Sequence, residues 1–275
     1  MDTPENEERG KGGEVMSTLE AKNLGIKFGG LQAVKDFNLT MNTGELVAII
    51  GPNGAGKTTT FNMLTGMYEP TEGELSLDGV SMVGKPPYKI NEMGLSRTFQ
   101  NIRLFTSLSV MENIRIAMKR EAEYSFVSAL FRTKKYRQAE AQIDKEAEEL
   151  LDLFDMKDVA HLQAKNLPYG EQRKLEIIRA LAGKPKILLL DEPAAGMNPT
   201  EIEEVMEIIA KVRKMYDISI LLIEHHMSMV MKIADRILVL DDGRLVGFDT
   251  HQALLQTCSV YREIAISQGS EEVAK

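Results

Sequence analysis

Residues 45–60 read ELVAIIGPNGAGKTTT, and this stretch decides the fold. Leu46 to Ile50 form a continuous apolar run, the pattern of a short strand buried on both faces. The run passes straight into Gly51, Pro52, Asn53, Gly54, Ala55, Gly56, Lys57 and Thr58, which fit G-x-x-x-x-G-K-[ST], with a helical pattern after them. The residue types follow from the chemistry of holding a phosphate chain. Gly54 and Gly56 let backbone amides approach phosphate oxygens with no Cβ in the way. Those amides and the N-terminus of the helix that follows make a positive nest. Lys57 sets a point charge against the β- and γ-phosphates, and the Thr58 hydroxyl is a ligand for Mg2+. Thr59 closes the phosphate-binding set. A glycine-rich turn with a solvent lysine would share these letters, but not the strand before and the helix after.

Outward from this loop, two further strands end in polar residues. KILLLDEP (186–193) is a buried strand that delivers Asp191 to the carboxyl edge of a sheet, where α/β proteins bind ligands. Asp191 is expected to hold Mg2+ through water, and Glu192 to polarise an attacking water as a general base. ILLIEHHM (220–227) ends in His225, within reach of a γ-phosphate on the neighbouring strand, while His226 reads as structural or solvent-facing. Strands alternate with helices from residue 170 onward, which predicts a mostly parallel sheet covered on both faces. Leu19 to Gly79 reads as short strands with turns, interrupted by the phosphate loop and its helix. The expected architecture is α/β: a P-loop core with an antiparallel β part and an inserted helical subdomain. The expected boundaries are a disordered leader at 1–15, a core at 16–106 and 165–250, helices at 107–164, a C-terminal helix at 251–266 and a flexible tail at 267–275. Met16 is a plausible alternative start.

Composition narrows the function. A net charge of −8 over 275 residues argues against a dedicated nucleic-acid binder. One cysteine, Cys258, gives no disulfide framework and no cysteine-rich metal site, and fits a reducing cytosol. It reads as a small filler in the last helix. The longest apolar runs, such as ISILLI (218–223), are far shorter than the roughly 20 residues that span a bilayer. The charged N-terminus lacks the apolar run of a signal peptide. The chain is therefore expected to be soluble, with any membrane role exercised through a partner. Tyr124, Phe126, Val127, Leu130 and Phe131, followed by a basic run, read either as a helical unit packing on itself or as a surface for a membrane or partner.

GPNGAGKTT, RTFQNIRLF, LPYGEQRKLEIIRAL, ILLLDEPAAGMNP and IEHHM stand in an order and spacing that resembles the ATP-binding subunits of ABC transporters, over about residues 18–266. The resemblance implies an ATPase with ATP and Mg2+ as its cofactors. It makes Gln100 the glutamine that reaches Mg2+ and the attacking water and links the site to the transmembrane partner. It makes His225 the γ-phosphate contact and Phe28 the ring that stacks on adenine. FGGLQAV (28–34), LSRTFQNIRLF (95–105) and LPYGEQRKLEI (167–177) resemble the branched-chain amino acid importer ATPases most. Importers of urea, short amides or other small solutes are the alternative. The implied partners are two permease subunits, a second ATPase subunit and, indirectly, an extracytoplasmic solute-binding protein, at the cytoplasmic face of the inner membrane. Soluble ABC machines carry two cassettes or a long coiled coil, neither of which is present. No Asn-Lys-x-Asp guanine reader marks a GTPase.

One stretch departs from the pattern. The family signature usually reads Leu-Ser-Gly-Gly-Gln and faces the ATP of the opposite subunit in a head-to-tail dimer. The matching residues are Leu167, Pro168, Tyr169, Gly170 and Glu171. Pro168 has neither hydroxyl nor amide hydrogen, and Tyr169 stands where a glycine would lie close to the nucleotide. Asn198 likewise replaces the usual aspartate of the D-loop. Both departures are expected to act on the partner's site, which favours a heterodimer with unequal sites over a homodimer. Gln172, Arg173 and Lys174 read as polar faces of the helix that follows.

Overall fold

The computed structural model describes residues 17–118, 131 and 133–268. The leader, Met16, the apolar cluster at 124–130 and residues 269–275 lie outside them. β1 (Ser17–Phe28) and β2 (Leu31–Asn42) pair antiparallel, and β3 (Leu46–Ile50) leaves them for the centre of the molecule. α1 (Lys57–Leu64) follows the glycine loop. β4 (Glu72–Leu77) and the two-residue β5 (Val80–Ser81) then extend the antiparallel half outward from β1. The first two strands are twelve residues each rather than short. Register shifts break their alternation, and Asn23 and Asp36 take left-handed backbone, with φ of 48° and 50°, so period-two reading shortens them.

After α2 (Pro87–Met93) and β6 (Leu95–Arg97), the described chain leaves the sheet until residue 187. The interval holds α3 (Val110–Ala117), α4 (Lys134–Leu153) and α5 (Tyr169–Ala182). Ser109 and Glu112 form a capping box on α3, satisfying two end donors reciprocally. Arg115 on α3 then pairs with Glu140 and Asp144 on α4. β7 (Ile187–Asp191) returns to the sheet beside β6 and in parallel with it.

α6 (Pro199–Tyr216), β8 (Ser219–Ile223), α7 (Met227–Ile233) and the hairpin of β9 (Arg236–Asp241) and β10 (Arg244–Asp249) complete the core. The strand order is β5-β4-β1-β2-β10-β9-β3-β8-β7-β6. β3, β7 and β8 are buried at every position, because helices cover both faces. Side chains alternate between two cores. Leu188, Leu190, Ile220 and Leu222 face one; Ile187, Leu189, Leu221 and Ile223 face the other, with Phe61 and Phe37.

The C-terminal segment is two helices, α8 (His251–Thr257) and α9 (Ser259–Ser267), rather than one. Cys258 is buried at their junction in extended backbone, not within a helix. Leu254, Tyr261 and Ala265 pack on Ile237 and Val239, so this segment covers the chain's own core.

Candidate functional site

The carboxyl ends of β3, β7 and β8 converge on one cleft. It is lined by the glycine loop from Asn53 to Thr59, by Gln100, Glu192 and His225, and by Leu31–Ala33 and the Asp242–Gly243 turn. Gly56 caps α1 with φ of 93°, and a Cβ there would stand 3.0 Å from the Ala33 carbonyl oxygen, so only glycine fits. Gly54 also has positive φ, with nothing within 4 Å of a Cβ position, which leaves its backbone open to a ligand. Lys57 is buried, and its ammonium donates to the Gly51 and Pro52 carbonyls at 2.7 and 2.9 Å. Burial lowers its pKa, an effect opposed by the nearby Glu192 carboxylate.

Glu192 sits just past β7 in left-handed backbone, φ 50°, fixed by its amide donating to the Ile223 carbonyl at 2.9 Å. Its two carboxylate oxygens are held separately. Gln100 Nε2 donates to Oε2 at 3.0 Å, and His225 Nε2 donates to Oε1 at 2.9 Å. Three residues from three segments thus meet at the mouth of the phosphate loop. Asp191, only 2% exposed, faces elsewhere: Arg97 Nη2 donates to its Oδ2 at 2.7 Å. Burial raises the Asp191 carboxyl above its usual range, partly offset by that arginine. His226 is half-exposed, and its Nδ1 lies 3.0 Å from Glu224 Oε2. Glu224 itself is buried and accepts from the Ala194 and His226 amides, tying the loop after β8 to the turn after Glu192.

Phe28 ends β1 opposite Leu31, at the rim of the cleft, and is 46% exposed. It is no core phenylalanine. Its ring meets Tyr68 edge-on, centroids 5.3 Å apart.

The signature residues lie away from this cleft. Leu167 is buried; Pro168 caps α5 with no side-chain bond; Gly170 and Glu171 fall in its first turn, where the acidic Glu171 suits the helix dipole. One feature differs from the sequence reading. Arg173 is no polar face: it is 3% exposed and donates to the Phe99 carbonyl at 2.8 Å and to the Gln100 carbonyl. The Tyr169 hydroxyl is engaged within its own chain, accepting from Arg173 Nε and Nη2 at 3.2 and 3.1 Å. Asn198 is also committed locally. It caps α6, accepting from the Thr200 and Glu201 amides, while Glu201 accepts from the Asn198 amide. Asparagine caps a helix about as well as aspartate, so this substitution leaves the helix intact. Arg97, Arg173 and Glu224 were not legible as site residues, because each acts through a partner distant in sequence.

A glycine loop between a buried strand and a helix, at the carboxyl edge of a parallel sheet, defines a P-loop nucleotide hydrolase. The comparisons then fix the family. The family model described as "ABC transporter" matches residues 34–195. The chain is 44% identical over 225 residues to the high-affinity branched-chain amino acid transport ATP-binding protein BraF of Pseudomonas aeruginosa, covering 82% of this chain and 88% of that protein. It is 43% identical over 244 residues to the corresponding protein LivG of Escherichia coli, covering 89% and 96%. The crystal structure of the ADP conformation of MJ1267, an ATP-binding cassette of an ABC transporter, superposes with a TM-score of 0.76 at 27% identity, covering 91% of this chain and 99% of that one. The chain belongs to the ABC transporter family, as an ATP-binding and ATP-hydrolysing subunit. Among the described residues no helix is long and apolar enough to cross a membrane, and membrane permease subunits are its family's partners.

Proposed function

We propose that this chain drives an importer of branched-chain amino acids, hydrolysing ATP at the cytoplasmic face of the inner membrane. It does so beside a second ATPase subunit, with two permeases and an extracytoplasmic solute-binding protein. The observation that carries the chemistry is the Glu192 carboxylate, held at the phosphate loop by Gln100 and His225. The solute rests on the likeness to BraF and LivG, at 44% and 43% identity. A relative at 32%, LptB of Escherichia coli, is named for lipopolysaccharide export, so the cassette alone does not set direction. The test is ATP-dependent uptake into vesicles carrying the assembled transporter. Leucine, isoleucine and valine should be taken up, and urea and short amides should not. The reverse order would assign the alternative solutes.

In this reading the loop amides and Lys57 bind the phosphates, and Phe28 covers the adenine. The donors for Mg2+ fit that ion. The Thr58 hydroxyl and the Gln100 amide oxygen line the cleft and are hard oxygen ligands, while the buried Asp191 carboxylate, bonded to Arg97, would be reached only through water. Bound there, Mg2+ would supply charge neutralisation on the phosphates. Glu192 takes the proton of the attacking water, its carboxylate oriented by Gln100 and His225. His225 donates hydrogen-bonding capacity as charge shifts on the γ-phosphate. His225→Ala should therefore leave ATP affinity intact and cut kcat by roughly a hundredfold. A raised KM with normal kcat would count against this role.

The two ATP sites are unequal in this proposal, because Pro168 offers the partner's nucleotide no hydroxyl. Pro168→Ser has two expected effects in the assembled heterodimer. It adds a cap to α5 worth about 0.5–2 kcal/mol of stability. It also raises turnover at the partner's site, read in a background where Glu192→Gln silences this chain's own site. A stability gain without a rate gain would leave Pro168 as ordinary variation.

A further inference from the structure

We propose that Tyr169 is a positioning residue for Gln100, acting through Arg173 within its own chain. The reading of Glu192 and Gln100 as hydrolytic machinery underlies the rate arm of the test. The chain of contacts is continuous. The Tyr169 hydroxyl accepts two of the five N–H donors of Arg173. Arg173 Nη1 donates to the Phe99 carbonyl at 2.8 Å and to Glu176 Oε2 at 3.1 Å, and Nη2 donates to the Gln100 carbonyl. Glu176, also buried, accepts from the Phe99 and Arg103 amides at 3.2 and 3.4 Å. The loop from Phe99 to Arg103 is thus clamped to α5 through both its carbonyls and its amides. The Gln100 side chain, at the far end of that clamp, holds Glu192.

A glycine at 169, as the usual signature has, could not make this link. Arg173 would keep its charge but lose the acceptor that fixes the plane of its fork, leaving buried N–H groups without a partner. The ring has a second contact. Its Cε1 lies 3.3 Å from the Cβ position of Gly196, whose φ is 77°, so Tyr169 also rests on the turn between Glu192 and Asn198. Gly196 leaves the room that this ring occupies. Tyr169 therefore joins the start of α5 to the two loops that flank the general base. A displacement of α5 at the partner's nucleotide is carried to Gln100 by bonded contacts, not by proximity alone.

Tyr169→Phe tests this, since it removes the hydroxyl and keeps the ring. Amide hydrogen exchange is measured on the full chain without nucleotide, and steady-state ATPase on the assembled transporter. Exchange at Phe99 and Arg103 should quicken by roughly threefold or more, the effect of freeing one anchor of a buried network. kcat should fall roughly three- to tenfold with KM for ATP unchanged, since only an interaction that positions the base is lost. Arg173→Lys should reproduce both effects, and the double variant should be no slower than the slower single one. Unchanged exchange with a raised KM would overturn the proposal and return Tyr169 to the partner's nucleotide. Unchanged exchange and unchanged kcat would overturn it as well. If the protein proves not to hydrolyse ATP, the rate arm fails while the exchange arm still decides whether Tyr169 holds the loop.

Discussion

Glu192→Gln is expected to keep ATP and lose turnover, with kcat falling by roughly 10²- to 10⁴-fold, the range of a general base. The geometry makes the substitution clean. Glutamine is isosteric, and its carbonyl oxygen can still accept from one of the two donors, Gln100 Nε2 or His225 Nε2, that flank residue 192. The left-handed backbone at 192 is no harder for glutamine than for glutamate. What disappears is the capacity to take a proton from water. Nucleotide binding measured by calorimetry should be close to that of the unaltered protein, and ATP should persist in a stable dimer. A variant that turns over ATP at the original rate would remove Glu192 from the reaction.

Lys57→Ala acts one step earlier. The ammonium now bonded to the Gly51 and Pro52 carbonyls is the charge that would meet the phosphates. Losing a charge-assisted contact of that kind should weaken ATP binding roughly ten- to a hundredfold. Folding should not suffer in proportion. Burial already disfavours the charged lysine, as its lowered pKa records, so its removal also removes a desolvation cost. The expected result is a normal melting temperature without nucleotide, together with loss of the upward shift that ATP gives the unaltered chain. Unchanged affinity would overturn the phosphate-loop assignment.

What the sequence made legible was whatever repeats locally. The runs 46–50, 187–190 and 220–223 are continuously apolar because their strands are buried on both faces, and that is readable without a structure. The glycine loop is equally local, since its backbone conformation dictates its residues. Glu192 and His225 were legible from the ends of two of those strands, whereas Gln100, just beyond β6, was named only by the family resemblance. Arg173 reads as a polar position because it is an arginine in an amphipathic helix, and only its burial against residues 99–100 shows otherwise. Arg97 beside Asp191 was invisible for the same reason: the two lie 94 positions apart and meet only because β6 and β7 are neighbours. The bond between Tyr169 and Arg173 was not legible either, because the family pattern describes position 169 only through a partner's nucleotide. Cys258 fell at a helix break that no glycine or proline announces.

The join between β2 and β10 bears on how the two halves of the sheet move. The antiparallel half carries Phe28, and the parallel half carries the phosphate loop. A single register pair, Arg244 with Lys35, links their ladders, with the Lys35 amide donating to the Gly243 carbonyl at 2.8 Å. Arg236 on β9 adds a bond from its Nη2 to the Thr40 carbonyl at 2.7 Å, and apolar packing contributes as well, with Val34 and Phe37 in one cluster with Leu238 and Leu240. Such packing is non-directional, so it resists separation without fixing a small rotation as a full ladder would. It also weakens on cooling, unlike a row of backbone bonds. The seam beneath the cleft is therefore held largely by side chains, and the apolar share of that hold weakens as the water cools.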